Sequence, residues 1–201
     1  LAASGLLVSR VGGASARPYQ PDGLWREMSH YGSTPATEQV YVQDHGEGLY
    51  RRGMYTIWKR TVPPPTLVAF DAPSREVCVV RRARTNTPLQ ALVLLNETGF
   101  VEMARALAQR VLIEGGADDA SRVRYLYLLT VGREPSASER EVIAATLARE
   151  RERYAGRRED AVALISVGES PRDESLAPDE HAAWTLAAAI VLNLSETVTK
   201  G

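Results

Sequence analysis

The sequence is poor in cysteine, in clustered histidine and in long apolar runs. Cys78 is the only cysteine among 201 residues. A single thiol excludes an internal disulfide, a zinc site of paired cysteines and a Cys-x-x-Cys-His haem attachment site. His30, His45 and His181 are too far apart in the sequence to show metal-ligand spacing. No apolar run reaches the roughly 18 residues that cross a bilayer, so we expect no metal site and no membrane span.

The chain carries almost no net charge, formally −1 at pH 7, which argues against general nucleic-acid binding. The charge is nevertheless unevenly distributed. Residues 51–84 hold eight basic and two acidic groups and carry +6, so the remainder carries −7. Phosphate-loop, Rossmann and nucleophile-elbow patterns are absent from the sequence. The sequence therefore indicates no particular reaction, and we assign no catalytic residue and no cofactor to this chain.

The clearest local signal is a helix start near residue 88. Thr87 suits the N-cap, Pro88 suits the first helical position, and Gln90 completes a capping box. Apolar residues then recur at helical spacing as far as Gly115. Asn96 falls on the apolar face, where a buried amide needs partners, so we expect it to tie a loop to this helix.

Similar signals predict a mainly α second half. Ser136 and Glu139 form a second capping box that opens a helix to about Tyr154. Further helices are expected over about 119–131, 161–167 and 179–194. Residues 168–178 are polar and contain two prolines, so we expect them to be the most mobile loop. The predicted fold class is mainly α, an antiparallel helical array with a long irregular N-terminal third packed on it.

The N-terminal part gives weaker signals. Residues 1–9 have the character of an apolar helix end, and glycine and proline are too frequent over 10–48 for long elements. The aromatic residues of this stretch serve either as loop anchors or as a ligand platform. Because the chain begins in an apolar segment without a signal peptide, we interpret 1–201 as a single domain and the C-terminal fragment of a larger protein. Its expected parts are an irregular wrap (1–48), a motif-rich basic centre (49–96) and a helical array (97–201).

Within the basic centre, the spacing predicts three short elements. Met54, Ile57 and Trp58 share one helical face, which indicates a helix over 49–61. Three prolines, at residues 63–65, end that helix, and a short helix or turn follows at 66–70. The β-branched run 77–80 suggests a short strand.

The same centre holds a candidate anion-binding site. Arg81, Arg82 and Arg84 lie between the expected strand and the capped helix, whose N-terminus favours negative charge. Their guanidinium groups can bind carboxylate or sulfate bidentately, and Tyr55 and Trp58 would offer flat faces to a sugar ring. In the alternative interpretation, these arginines pair with nearby carboxylates or with acidic groups of the helical half.

Other candidate chemistry has a simpler explanation in each case. Asp71 and Glu76 form a carboxylate pair suited to glycoside hydrolysis, yet each has arginines nearby to pair with. Cys78 lies beside basic residues, a setting that suits a reactive thiol, yet we expect a buried inert thiol instead. Asp44 could orient the His45 imidazole, but this histidine is isolated in the sequence and we expect no catalytic or metal role for it.

Several motifs of the chain resemble those of one family. They are Tyr50-Arg51-Arg52, Trp58-Lys59-Arg60-Thr61-Val62-Pro63-Pro64-Pro65, Phe70-Asp71-Ala72-Pro73, Arg84-Thr85-Asn86-Thr87-Pro88-Leu89-Gln90, Gly132-Arg133-Glu134-Pro135 and Leu192-Asn193-Leu194-Ser195-Glu196. Together they look like the signature of a planctomycete-specific domain of unknown function, which ends large exported proteins that also carry cytochrome-c-like domains. The resemblance implies export, and it implies upstream domains of the same protein, with haem c among them and often carbohydrate-related modules.

These observations favour a non-catalytic structural or interaction module of a large exported protein. A first alternative is part of an enzyme or binding site for an anionic polysaccharide, built on the arginines of the basic centre. A second alternative is a docking surface for a cytochrome-c-like domain. We expect the partners to be upstream domains of the same protein or a polysaccharide, and not nucleic acid.

Overall fold

The structure, a computed structural model, describes residues 1–28 and 38–199 and is built from helices. Helix accounts for 53% of these described residues, which contain no strand. The predicted mainly α class is therefore confirmed. None of the helices in these ranges has both the length and the apolarity to cross a bilayer. The α-helices are α1 (Leu24–Met28), α2 (Pro65–Ala69), α3 (Pro88–Asn96), α4 (Thr98–Glu114), α5 (Asp119–Thr130), α6 (Ala137–Tyr154), α7 (Arg158–Ile165), α8 (Pro178–Leu192) and α9 (Ser195–Val198).

The chain divides into two compact units. One, here the N-terminal unit, is Leu7–Val93, and the other, the helical unit, comprises Leu1–Leu6 and Leu94–Gly201. The division falls inside α3, close to residue 96, the predicted end of the basic centre.

The core of the helical unit is centred on α8, which packs against α4, α6 and α7. Trp184 is completely buried there, and its indole Nε1 donates to Glu180 Oε1 one turn earlier at 2.9 Å. Alanines on both sides of Trp184 are also fully buried, and their small side chains let the neighbouring helices approach closely. A mostly apolar helix with most of its residues buried is the expected centre of such a unit.

The capped helix starts predicted near Asp119 and at Ser136 are confirmed, whereas the short helix expected over 161–167 begins earlier, at Arg158. Ser136 Oγ accepts from Glu139 N at 3.2 Å, and Glu139 Oε2 accepts from Ser136 N at 2.7 Å, so α6 begins with a complete capping box. The long apolar periodicity after Gln90 is interrupted once. Glu97 caps α4 by accepting from Phe100 N at 3.1 Å, and this cap separates α3 from α4.

The prediction of a helix over 49–61 is wrong. Two short 3-10 helices, Gly46–Tyr50 and Gly53–Tyr55, occupy its first part. The backbone after these turns forms hydrogen bonds with Ala16 instead of helical hydrogen bonds. Ala16 N donates to Tyr55 O at 2.7 Å, and Ile57 N donates to Ala16 O at 2.8 Å. These tertiary bonds use the groups that a helix would need.

Two other expected elements do not form. Residues 1–9 make a turn, with Gly5 N donating to Ala2 O, and Val8 then pairs with Arg51 in an isolated parallel bridge. Residues 77–80 are not a strand; they belong to an exposed loop. β-Branched residues favour a strand only where a neighbouring strand pairs with them, and no such strand lies among the described residues.

Two aromatic residues of the irregular stretch, Trp25 and Tyr41, pack together as loop anchors. Trp25 is buried, and Tyr41 meets its ring edge-on at a centroid distance of 5.1 Å. Lys59, also buried, places its Nζ 4.4 Å from the centre of the same ring and donates to the Glu38 carbonyl. Burial lowers the pKa of Lys59, although the Glu38 charge acts in the opposite direction. Tyr31 and His30 lie outside the described residues.

Candidate interaction surface

A network of hydrogen bonds in the N-terminal unit, here called the polar knot, fixes the loop that precedes α3. Asp71 adopts a left-handed backbone conformation with φ 58°, which is uncommon for a residue other than glycine. Its carboxylate accepts from the backbone N of Thr85 at 2.8 Å and from Thr85 Oγ1 at 2.8 Å. These hydrogen bonds from Thr85 hold the pKa of Asp71 below its usual value. The knot therefore joins the turn after α2 to the start of α3.

Gln90 is the centre of this knot and is only 2% exposed. Its Nε2 donates to the Ala69 carbonyl and to Thr85 Oγ1, both at 2.9 Å. Its Oε1 accepts from Thr87 N at 3.1 Å, while Thr87 Oγ1 accepts from Gln90 N at 3.2 Å. The predicted capping box is thus confirmed, and its glutamine also links α3 to α2.

Of the three candidate arginines, Arg82 belongs to the same knot. Its Nε donates to the Asp71 carbonyl and its Nη2 donates to the Phe70 carbonyl, both at 3.1 Å. Arg82 therefore satisfies carbonyl groups at the end of α2. The side chains of Arg81 and Arg84 are exposed and make no hydrogen bond or ion pair with any residue that the structure describes.

Each of the two aromatic residues of the anion-site hypothesis already has an arginine side chain over its ring. Arg51 lies 4.2 Å from the centre of the Tyr55 ring, and Tyr55 OH accepts from Gly12 N at 2.9 Å. Arg75 lies 4.7 Å from the centre of the Trp58 ring. Within the described part of the chain, no hydrogen bond or cation–π contact joins either ring to the arginines at 81, 82 and 84. The structure places the five residues in one unit but shows no shared contact.

Asp71 and Glu76, which the sequence suggested as a carboxylate pair, each bind a different partner. Glu76 accepts two hydrogen bonds from Arg60, at 2.9 and 2.6 Å, and these lower the pKa of Glu76. Asp71 is held by Thr85. Cys78 is exposed, which corrects the expectation of a buried thiol. His45 is exposed, and the neighbouring Asp44 carboxylate accepts from Arg17 N at 2.8 Å.

Large apolar side chains that flank the arginines in the sequence are exposed. Val77 is 70% exposed and Val80 is fully exposed in the loop, while Leu89 and Leu92 are 59% and 58% exposed on α3. Asn96 lies on the same helix and is exposed, so the expected buried amide on a covered face is wrong. Helical spacing shows which residues share a face, but it does not show whether another element covers that face. We call Val77, Val79, Val80, Arg81, Arg84, Leu89 and Leu92 the valine–arginine surface.

The described residues contain no group of three or more histidine, cysteine, aspartate or glutamate side chains placed to hold a metal ion. In comparisons with known proteins, a family model described as PSD1, protein of unknown function (DUF1553), matches residues 1–147. No curated protein and no solved structure matches the chain.

Proposed function

The chain belongs to the PSD1 family of proteins of unknown function (DUF1553), and we propose that it is a non-catalytic interaction module of a larger exported protein. Its binding site is the valine–arginine surface. The partner is a protein segment that presents apolar side chains together with acidic groups. This combination of chemistry is the one that the exposed residues would recognise.

The observation that carries the proposal is the exposure of bulky apolar side chains. Val77, Val80, Leu89 and Leu92 are each more than half exposed. Single exposed apolar residues are ordinary, but several along one loop and the helix that follows it are typical of a binding surface. Covering such side chains stabilises a complex by about 25 cal/mol for each Å² of apolar area removed from water.

The charge of the surface favours an acidic partner. Arg81 and Arg84 have no internal partner among the described residues, so their guanidinium groups remain available for carboxylates. Arginine forms bidentate bonds with carboxylates and is enriched in interfaces. The segment 51–84, which carries +6, would also speed the approach of an acidic protein at low salt.

The end of the loop is already held in place before any partner binds. Asp71, Thr85 and Gln90 fix its end against α2 through hydrogen bonds of 2.8 to 2.9 Å. A surface that is ordered in advance loses less entropy on binding. The structural role of these residues therefore supports the binding role of the residues beside them.

The two other candidate functions need different features. A sugar would need an open aromatic face, and Tyr55 and Trp58 each have an arginine stacked on one face. A cytochrome-c-like domain with an acidic apolar patch belongs to the partner class proposed above. Binding of a purely anionic polysaccharide is a separate outcome of the following test.

The test measures fluorescence anisotropy with three labelled probes: an amphipathic peptide of leucine and glutamate, its leucine and lysine counterpart, and dextran sulfate. We expect the acidic peptide to bind and the basic peptide not to bind. Val80→Ser/Leu92→Ser and Arg81→Gln/Arg84→Gln should each weaken binding of the acidic peptide about tenfold, which corresponds to about 1.4 kcal/mol.

Matched control variants carry the same substitutions elsewhere. Ile113 and Val142 are each 56% exposed in the helical unit, so Ile113→Ser/Val142→Ser controls for the apolar change. Arg140→Gln/Arg157→Gln controls for the charge. Binding of dextran sulfate that depends on Arg81 and Arg84 but not on the apolar residues would replace the proposal with an anion site. Absence of binding to all three probes would reject both.

A further inference from the structure

A cluster of buried polar side chains in the helical unit holds the loop of residues 166–177, which connects α7 to α8 and is here called the latch loop. Glu102 and Arg105 of α4 and His181 of α8 are at most 1% exposed. The interaction surface does not include these residues. A buried charged cluster needs complete pairing, so its partners show what it does.

Arg105 and Glu102 bind the backbone of the latch loop directly. Arg105 Nε donates to the Val167 carbonyl at 3.2 Å, and its Nη2 donates to the Ser170 carbonyl at 2.7 Å. Glu102 Oε1 accepts from Ser170 N at 2.6 Å. Farther along α4, Gln109 Oε1 accepts from Asp173 N at 2.8 Å. The loop expected from the sequence to be mobile is therefore anchored at several points.

The loop backbone also lies in direct contact with the Glu102 carboxylate. Gly168 has φ +87°, and a Cβ atom at this position would lie 2.2 Å from Glu102 Cδ. Only glycine fits both the conformation and the space. The backbone of the latch loop therefore packs closely against the charged cluster.

His181 completes the cluster in a form that cannot accept a proton easily. Its Nε2 lies 3.0 Å from the Arg105 carbonyl, which only accepts, so Nε2 carries the hydrogen. Nδ1 is then an acceptor, and it is buried without a hydrogen-bond partner among the described residues. A proton on Nδ1 would be a buried donor with no acceptor, close to the positive charge of Arg105.

We propose that the latch loop is a pH-sensitive latch, closed when His181 is neutral and released when His181 is protonated. The charged groups that face His181 from the elements around it favour this direction on balance. Burial is the largest factor that lowers the pKa of His181, and the charges of Arg105 and Arg172 lower it further, whereas Asp173 raises it. Glu180, on the same helix, is engaged with Arg151 and Trp184.

The direction in which pH shifts the opening of the latch loop follows from proton linkage. In the open loop His181 regains an ordinary pKa of about 6.5, whereas in the closed loop its pKa is lower. Between the two values the open form binds more protons, so a fall in pH favours opening. One proton changes the opening equilibrium by at most about tenfold per pH unit.

Amide hydrogen exchange of the 201-residue chain tests the latch. After correction for intrinsic exchange rates, protection of residues 167–173 should fall as pH decreases from about 7.5 to about 5, by up to about 30-fold. Protection of α6 should stay constant. In His181→Gln, whose amide can still donate to the Arg105 carbonyl, the pH dependence should disappear.

Two results would overturn the latch. One is unchanged protection of the loop at about pH 5; the other is the same pH dependence in His181→Gln, which would assign it to carboxylates such as Asp173. If that variant does not fold, an NMR titration of wild-type His181 decides. A pKa of about 6.5 or higher for the closed state contradicts the proposal.

Discussion

At the scale of single residues, Thr87 and Gln90 show how a local signal becomes part of a larger arrangement. The sequence predicted their capping box because all of its atoms lie within four residues. The bond from Gln90 Nε2 to the Ala69 carbonyl, at 2.9 Å, depends on a segment 21 residues away and has no local signal. The cap could be predicted, but its link to α2 could not.

Replacing Thr87 with alanine removes the hydroxyl that accepts from Gln90 N. We expect the free energy of unfolding to fall by about 1 kcal/mol, the usual cost of a lost N-cap side chain. Denaturant titration measures this value. Thr61→Ala, at an exposed position of the same unit, should change stability by less than about 0.5 kcal/mol. Equal effects of the two substitutions would show that Thr87 is not a cap.

Tyr41 offers a second test at this scale. Burial raises its pKa to about 12, assisted by the charge of Asp44, and its hydroxyl donates to the Pro18 carbonyl at 2.5 Å. Because the folded-state pKa of this phenol is raised, the contribution of Tyr41 to stability is fully present below pH 10. This contribution is lost between pH 10 and about 12. The ultraviolet titration of wild type minus that of Tyr41→Phe should show one phenol with a midpoint near 12. A midpoint near 10 would place Tyr41 in solvent.

The residues that the sequence analysis missed are those that act only through tertiary contacts. In the sequence, Glu102 and Arg105 are typical of the charged face of an amphipathic helix, yet both side chains are buried. Their partners, Val167 and Ser170, are more than 60 residues away along the chain. Gly168 carried no separate signal, because glycine in a polar loop is expected anyway. Only the folded structure brings these groups together.

At the scale of elements, α6 shows how a cap and an ion pair combine. Arg133 donates to both oxygens of Glu139, at 2.7 and 2.8 Å, and also to Glu196 of α9. These bonds, followed by the bond from Ser136 N, lower the pKa of Glu139 to about 2. The capping carboxylate therefore stays charged in moderately acidic solution.

The lowered pKa of Glu139 gives a pH prediction. A carboxyl group with a depressed folded-state pKa stabilises the fold above its ordinary pKa of 4.5, and this contribution is lost as pH falls towards about 2. The difference in Tm between wild type and Glu139→Gln should therefore shrink over this range. Because Arg133 and Glu139 are partly exposed to solvent, the effect is modest. Glu141→Gln, at an exposed position of the same helix, should show no such trend.

Elements were predictable where local and tertiary preferences agree. α5 and α6 have caps and helical spacing, and both form as expected. Residues 49–61 have helical spacing too, but they lack a cap, and Ala16 competes for their backbone groups. Arg51 is buried there and donates to the carbonyls of Arg10 and Gly12, at 3.2 and 2.6 Å. Tertiary bonds of this kind override a weak helical preference.

At the scale of the whole molecule, the positive segment 51–84 accounts for the uneven charge of the chain. Arg60, Arg75 and Arg82 are engaged within the N-terminal unit. Arg81 and Arg84 are not, and they lie between exposed valines and exposed leucines. The proposed role as an interaction module depends on these exposed residues, which form the valine–arginine surface.

The most direct test of that role is a footprint of the bound acidic peptide of leucine and glutamate by amide hydrogen exchange. Exchange over residues 77–92 should slow when the peptide is added, because the partner covers the loop and the exposed face of α3. Exchange in α5 and α6 should not change. Protection confined to the helical unit, or no protection at saturating peptide, would contradict the proposal that the valine–arginine surface is the binding site.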